Sequence, residues 1–261
     1  MSEGKNFAIL LGCGSSMGVP SVSTTPGGFW GACDPTEPKN RRRRSALYVC
    51  YRGKRILVDA GPDIRNQLLD NAIGDLDAIL ITHAHADHTG GLDCLRSLVY
   101  ARGGVPLPIY GDAGTVADLQ QRFSYLFRPS NPIYNRALEA HVIEGRLNLD
   151  GVLINVIPQR HGEGSSLGFR FGSLAYSIDF NFMEDTSYAM LDGVETWIVD
   201  CLGKLPKPTH NHLPLTLRAI QRVQPKRAIL SHMGHELDYQ TLYRTLPKGV
   251  EPGYDGLHLE F

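Results

Sequence analysis

Short apolar runs rich in β-branched residues recur along the chain, and this pattern predicts strands. The runs occupy residues 7–11, 46–51, 56–59, 78–82, 152–157, 167–171, 174–178, 197–199 and 228–230. Between several of them, apolar residues return every three or four positions, as they do on the buried face of a helix. This spacing is found at Leu92, Leu95 and Val99; at Val116, Leu119 and Phe123; at Leu213, Leu217 and Ile220; and at Leu242 and Leu246. The interleaving predicts a layered α/β fold without a strict βαβ repeat, in one domain over residues 1–261.

The composition narrows the class of protein. Of the 261 residues 42% are apolar, which is enough for a sizeable core, and the formal net charge is -1. A charge this close to zero gives no general attraction to nucleic acid or to an anionic membrane. The five cysteines are scattered and never form a C-x-x-C pair, and no apolar run approaches the roughly 18 residues of a membrane span. We therefore expect a cytoplasmic protein with no membrane segment.

The stretch THAHADH, residues 82–88, carries the densest chemistry in the chain. His83 and His85 are two positions apart after an apolar run, so in extended backbone both side chains share a face and could bind one cation. Asp87 and His88 then fall in a turn that directs them toward a second position. Two metal ions are suggested, whereas the helical H-E-x-x-H pattern of metalloproteases is absent.

Three more potential ligands follow predicted strands, namely His161, Asp179 and His232. A lone histidine at such a place is more often a structural residue that hydrogen-bonds its neighbours. The repetition at several strand ends, together with the THAHADH stretch, favours a metal site over that alternative.

In order and spacing, these residues resemble the metallo-β-lactamase superfamily. The resemblance implies a four-layered αββα sandwich with two metal ions at one edge of its sheets. It implies one ion on His83, His85 and His161, a second on Asp87, His88 and His232, and Asp179 as the bridging ligand. The Val-Asp-Ala-Gly stretch at 58–61 resembles an early motif of the superfamily, so that Asp59 would orient a ligand histidine, although a strand-end turn is the simpler alternative.

The glycine-rich opening LGCGSSMGVP, residues 11–20, is similar to that of PhnP-type cyclic phosphodiesterases and of tRNase Z. Its spacing fits neither G-x-G-x-x-G nor G-x-x-x-x-G-K, so a nucleotide-binding loop is not indicated. A tight hairpin that needs positive φ at its glycines is the alternative interpretation.

The stretch THNHLPL, residues 209–215, also resembles the PhnP branch. The resemblance implies that His212 is the general acid. The ordinary pKa of a histidine side chain is about 6.5, so a residue of this type can protonate a leaving group near neutral pH. Asp200 would orient His212, while capping of the following helix is the alternative role for that histidine. We interpret His210 as a bystander. The Tyr-Asp-Gly stretch at 254–256 matches the same branch, or is an ordinary turn.

The chain also departs from the PhnP pattern. PhnP-type proteins carry a cysteine-rich structural zinc loop, of which only Cys33 and His235 remain here, so the long loop at 21–40 must be fixed in another way. The four arginines at 41–44 are expected to be mostly solvated, with one of them available for a phosphate. No arm that could grip a tRNA is evident, so a large nucleic acid is not the expected substrate.

The resulting hypothesis is a metal-dependent hydrolase, most simply a phosphodiesterase for a small cyclic or nucleotide-like phosphodiester. Two divalent ions, Zn²⁺ or Mn²⁺, would bridge a hydroxide that attacks phosphorus, with Asp87, Asp200 and His212 as the catalytic residues. The alternatives are a thioesterase or lactonase of the same fold, or a non-catalytic nucleotide-binding module. The sequence leaves open the substrate, the native metal and the oligomeric state, including a homodimer.

Overall fold

A computed structural model describes residues 5–128 and 135–261, and within these ranges the chain forms two mixed β-sheets. The first sheet has the strand order β14-β1-β2-β3-β4-β5-β6. Its strands are β1 (Phe7–Gly12), β2 (Ala46–Tyr51), β3 (Lys54–Val58), β4 (Ala78–Leu80), β5 (Leu107–Gly111), β6 (Leu138–Val142) and β14 (Leu257–Glu260). The second sheet has the order β13-β12-β11-β10-β9-β8-β7. Its strands are β7 (Leu147–Leu149), β8 (Val152–His161), β9 (Gly164–Phe171), β10 (Leu174–Ser177), β11 (Thr196–Asp200), β12 (Arg227–Ser231) and β13 (Val250–Pro252).

Helices cover the outer faces of both sheets. They are α1 (Ile64–Asp70), α2 (Ala86–Thr89), α3 (Arg96–Ala101), α4 (Ala113–Arg122), α5 (Ser124–Phe127), α6 (Asp185–Ala189), α7 (Leu213–Val223) and α8 (Tyr239–Thr245), with 3₁₀ turns at Pro38–Asn40 and Leu92–Leu95. The order of layers is helix, sheet, sheet, helix, and the predicted α/β layering is confirmed. No helix in the described ranges is both long and apolar enough to cross a lipid bilayer.

Strand β1 shows why the apolar runs are nearly continuous. Ala8 and Leu10 belong to the core between the sheets, whereas Ile9 and Leu11 pack into a second core beneath α1, α3 and α4. Because successive side chains of a strand point to opposite faces, a strand buried on both sides must be apolar at every position.

All nine predicted strands are present, but five others were not predicted, namely β5, β6, β7, β13 and β14. Four of these five lie at sheet edges, where a strand is short or alternates apolar with exposed residues. The fifth, β5, contains Pro108, which weakens the strand signal of its sequence.

Close backbone approach explains the glycine-rich opening. A Cβ added at Gly12 would lie 2.0 Å from the Arg44 carbonyl oxygen, and one added at Gly14 would lie 2.8 Å from that of Arg43. Within this stretch only Gly18 has a positive φ, so the hairpin interpretation holds at that one position. The Asp255 carboxylate accepts hydrogen bonds from the backbone N–H groups of Cys13 and Arg43, at 3.1 and 2.8 Å. The Tyr-Asp-Gly stretch therefore fixes the opening to the arginine run.

Arg42 fixes the long loop at 21–40, although its run was expected to be solvated. The side chain is buried, and its Nη2 donates to the Leu237 carbonyl at 2.7 Å and to Asn40 Oδ1 at 3.2 Å. Its Nη1 donates to the Gly234 carbonyl at 3.3 Å. The Cys33 thiol, also buried, contacts the Leu237 carbonyl at 3.6 Å. A planar guanidinium with several donors thus ties the loop to the segment that follows β12.

Candidate metal centre

The site lies at the carboxyl ends of parallel strands in both sheets. His83 follows β4, Asp179 follows β10 and His232 follows β12. Asp179 and His232 have φ of 54° and 57°, and Asp59, which follows β3, has 65°. Non-glycine residues rarely adopt this left-handed conformation, which at a strand end turns the chain sharply away from the sheet. The two sheets therefore present short polar turns to a common edge.

Three histidines form the first group of potential ligands. The Nε2 atom of His83 lies 2.9 Å from Nδ1 of His85. The ring of His161, the last residue of β8, lies 5.0 Å from that of His83 and 5.1 Å from that of His85, between centroids. One nitrogen from each ring lies within 4.8 Å of the others, a spacing that can close around a single cation.

Two aspartates and two histidines form the second group, namely Asp87, His88, Asp179 and His232. Asp87 and His88 belong to the four-residue helix α2, which begins directly after His85. Nε2 of His88 lies 3.0 Å from Asp87 Oδ2 and 3.2 Å from Asp179 Oδ2. Nδ1 of His232 lies 3.3 Å from the same Asp179 oxygen. The structure thus brings together all seven side chains for which the sequence suggested a metal-binding role.

The unpaired polar atoms of the second group fit a bound cation. His88 Nε2, Asp179 Oδ2 and both ring nitrogens of His232 are buried and have no partner in hydrogen-bonding geometry. Buried polar atoms normally have a partner, because leaving one unpaired costs about 1–3 kcal/mol. Imidazole and carboxylate donors arranged in this way suit Zn²⁺ or Mn²⁺.

The outer nitrogens of three histidines are fixed by protein partners. His88 Nδ1 lies 2.8 Å from Asp59 Oδ2, and His161 Nδ1 lies 2.8 Å from the Thr209 carbonyl. His83 Nδ1 lies 3.0 Å from the Thr82 hydroxyl, which also contacts the Asp59 carboxylate. A ring that donates from Nδ1 leaves Nε2 as the ligand atom. All three Nε2 atoms are therefore oriented toward the centre of the cluster.

The pKa values of the cluster residues depend on burial and on the charges of their neighbours. Burial lowers the pKa of His83 well below its ordinary value. Burial opposes protonation of His88 too, but the carboxylates of Asp179 and Asp59 outweigh it and raise the pKa of His88. Burial would raise the pKa of Asp179, yet His232 and His88 lower it well below the ordinary value of a carboxyl group. An ionised carboxylate is therefore stable at the centre of the imidazoles.

Arg122 of α4 supports the THAHADH stretch from outside, and no sequence pattern indicated this contact. Its Nη2 donates to the Ala84 carbonyl, between the first two histidines, and contacts the Thr89 hydroxyl at 3.3 Å. The Thr89 hydroxyl in turn donates to the His85 carbonyl at 2.8 Å. Asp118 pairs with the guanidinium one helical turn earlier. No local sequence pattern predicts the contact between Arg122 and this stretch, because the partners lie more than thirty residues apart.

His210 lies inside the cluster, so its interpretation as a bystander is wrong. Its Nδ1 is 3.6 Å from both Asp179 Oδ1 and Asp200 Oδ1, and its ring is 4.8 Å from that of His161 and 4.9 Å from that of His232. Burial lowers the pKa of His210, but the Asp200 carboxylate outweighs this and raises it. His210 lies ten residues after the end of β11, so the strand-end pattern that indicated the other cluster residues did not indicate this one.

His212 and Asp200 lie differently from the expected pair. The backbone of His212 precedes α7 as its N-cap, but its side chain makes no capping hydrogen bond, and Nδ1 is buried without a partner. Asp200 accepts from the backbone N–H groups of Asp179, at 3.2 Å, and of Asn211, at 2.8 Å. Its recorded side-chain neighbours in the described part of the chain are His210 and His232, so the expected contact between Asp200 and His212 is not found.

Comparison with known proteins places this geometry in a family. The model of the beta-lactamase superfamily domain matches residues 54–233, a span that contains every residue of the cluster. The chain belongs to the β-lactamase superfamily. The helix, sheet, sheet, helix order described above is the αββα sandwich that the resemblance implied, so this superfamily resemblance is confirmed.

One solved structure within the superfamily is similar over nearly the whole chain. A solved structure described as a new diphosphatase from the PhnP family is 35% identical, with a TM-score of 0.90 over 99% of this chain and 98% of that chain. This similarity confirms the predicted PhnP branch.

Two curated relatives match a smaller share of their own length. Octanoyltransferase from Porphyromonas gingivalis is 30% identical over 258 residues, which cover 95% of this chain and 50% of that protein. Ribonuclease Z from Bradyrhizobium diazoefficiens is 37% identical over 145 residues, 53% of this chain and 47% of that protein. The chain thus spans about half the length of these curated relatives.

Replacing Asp59 by asparagine tests the second layer of contacts around the cluster. The amide cannot accept from His88 Nδ1 as strongly as the carboxylate, so we expect zinc or manganese affinity to fall by about 10–100-fold. Competition with a chromogenic chelator measures the dissociation constants. Asp150→Asn is the matched control, because this aspartate is 88% exposed and pairs with Lys54 far from the cluster. Equal metal affinity of the two variants would contradict the assigned role of Asp59.

Proposed function

We propose that this metal-dependent hydrolase is a phosphodiesterase for a small cyclic or nucleotide-like phosphodiester. The observation that carries the proposal is the pair of His and Asp groups at one sheet edge, within a fold similar over its whole length to a PhnP-family diphosphatase. The names of that relative and of ribonuclease Z both denote cleavage at phosphorus. A net charge of -1 supports a small substrate over a long nucleic acid.

We assign the two groups to two divalent ions, Zn²⁺ or Mn²⁺. His83, His85 and His161 would hold one, Asp87, His88 and His232 the other, and Asp179 would bridge them. Such ions lower the pKa of bound water toward neutrality and stabilise charge on a phosphoryl group. The protein contributes the fixed Nε2 atoms, the buried bridging carboxylate and the support of Asp59 and Arg122.

Two histidines after β11, His210 and His212, are assigned to the reacting phosphoryl group. His212 lies two residues after His210 and has extended backbone, with φ of -113° and ψ of 163°. We assign His212, which unlike His210 forms no ion pair with a carboxylate among the described residues, as the donor to the leaving oxygen, as the resemblance implied. We assign His210, next to Asp200, to the non-bridging oxygens of the phosphoryl group, because its raised pKa favours the cation.

Thioester hydrolysis is the second candidate, and the octanoyltransferase similarity is the observation that favours it. The chain matches only half of that protein, so the phosphorus chemistry of the full-length relative weighs more. The proposed compartment is the cytoplasm, supported by five cysteines that are all unpaired thiols.

Metal depletion and reconstitution test the proposed function. Protein stripped with a chelator is expected to lose hydrolysis of an aryl phosphodiester and to regain it with Mn²⁺ or Zn²⁺, because the reaction depends on the charge and water activation that the ions supply. Wild-type protein carried through the same procedure without chelator controls for damage during the treatment. Turnover of thioesters or lactones by the reconstituted protein, without turnover of any phosphodiester, would contradict the proposal.

Substrates with leaving groups of different basicity distinguish the role of His212 from that of His210. His212→Ala is expected to lower kcat by about 10²–10⁴-fold on a diester with an alkyl leaving group, which needs a proton. The loss should be far smaller on its p-nitrophenyl counterpart, whose leaving group departs as an anion. His210→Ala is expected to lower kcat similarly on both substrates.

The matched control for this pair is His258→Ala, since that ring stacks on Phe7 at 5.0 Å, away from the cluster. Steady-state rates across both substrates give the comparison. A leaving-group effect in His210→Ala and none in His212→Ala would exchange the two assignments.

A further inference from the structure

A cleft of about 600 Å³ is lined in part by His235, three residues after His232 of the metal cluster, and none of its lining residues is used in the mechanism above. The residues that matter here are Met17, Phe29, Lys204, Lys207, His235 and Glu236. Its volume is within the range of roughly 300–1,000 Å³ that is common for sites of small organic ligands.

Half of the lining residues lie in the glycine-rich opening and the long loop, and the other half lie on two segments that leave the metal centre. One continues from Asp200 to Lys204, and the other continues from His232 to His235. The segments are joined by a hydrogen bond of 2.9 Å from the Gly234 N–H to the Leu202 carbonyl. Three residues of chain span at most about 11 Å, so the His235 wall of the cleft begins within reach of a substrate whose phosphoryl group lies at His232.

One wall of the cleft is aromatic and firmly supported. Phe29 and His235 meet edge to face, with ring centroids 4.9 Å apart, although Phe29 is 50% exposed. Two backbone hydrogen bonds join Phe29 to Ser21, and the Ala32 N–H donates to the His235 carbonyl at 2.8 Å. A half-exposed phenyl ring fixed from both sides is costly to leave in water and suits a planar partner.

The rest of the lining carries positive charge. Lys207 pairs with Glu236 at 3.4 Å, whereas the exposed Lys204 ammonium pairs with no carboxylate among the described residues. Two lysines against one glutamate leave one net positive charge, which suits a substrate with an additional anionic group.

We propose that this cleft binds the nucleobase of a nucleotide-type phosphodiester, with the base against Phe29 and His235 and Lys204 beside a phosphate. The inference rests on the proposed phosphodiesterase function and specifies its substrate class. A cyclic sugar phosphate without a base would leave Phe29 and the exposed Met17 uncovered. Base stacking on an aromatic side chain is sequence-tolerant, so purines and pyrimidines are both accommodated.

Calorimetric titration of the metal-loaded protein with AMP and with ribose 5-phosphate tests the subsite without turnover. AMP is expected to bind about 10-fold more tightly than ribose 5-phosphate, because only AMP has a base to stack. Phe29→Ala should remove this preference, and Phe29→Tyr should retain it. Tyr243→Ala is the matched control, since Tyr243 is a 62% exposed aromatic residue outside the cleft.

Equal dissociation constants for the two ligands in the wild type, or no measurable binding of AMP, would overturn the subsite. A preference that survives Phe29→Ala would overturn the role of the aromatic wall. Failure of the proposed function gives a different result, namely Phe29-dependent preference for AMP without metal-dependent hydrolysis of any phosphodiester.

Discussion

The Asp179 carboxylate is the interaction on which the site depends. It is buried at the end of β10, and its oxygens lie 3.2 to 4.0 Å from ring nitrogens of His88, His232, His210 and His161. An ionised carboxylate removed from water costs several kcal/mol unless charge or donors compensate it. Here the compensation comes from both sheets, so the site also couples the edges of the two halves of the sandwich.

Residues outside the metal cluster support it. Asp59 and Thr82 fix His88 and His83 from the first sheet, and Arg122 contacts the loop between them. Farther out, buried Arg42 ties the long loop to the segment after His232. The same contacts hold the loop that carries Phe29 and the segment that carries His235, two residues of the proposed cleft.

The residues of the cluster could be predicted because most of them lie at or just after the end of an apolar strand, and local periodicity is the part of a fold that a sequence displays most directly. The roles of His210 and Asp200 could not be predicted in the same way. In extended backbone a shift of two residues keeps the face, so spacing alone could not decide which histidine of the THNH stretch lies next to Asp200. Arg122 contacts the THAHADH stretch, and Phe29 contacts His235, across long chain separations. The single-domain extent over 1–261 stays a prediction.

The most direct measurement is the number of metal ions bound per chain, determined by elemental mass spectrometry after equilibration with Zn²⁺ or Mn²⁺ and removal of free ion. The account predicts two ions per chain in the wild type and a loss of ions in Asp179→Asn, which lacks the bridging charge. A wild-type protein that binds one ion or none, or an Asp179→Asn variant with the full complement, would contradict it.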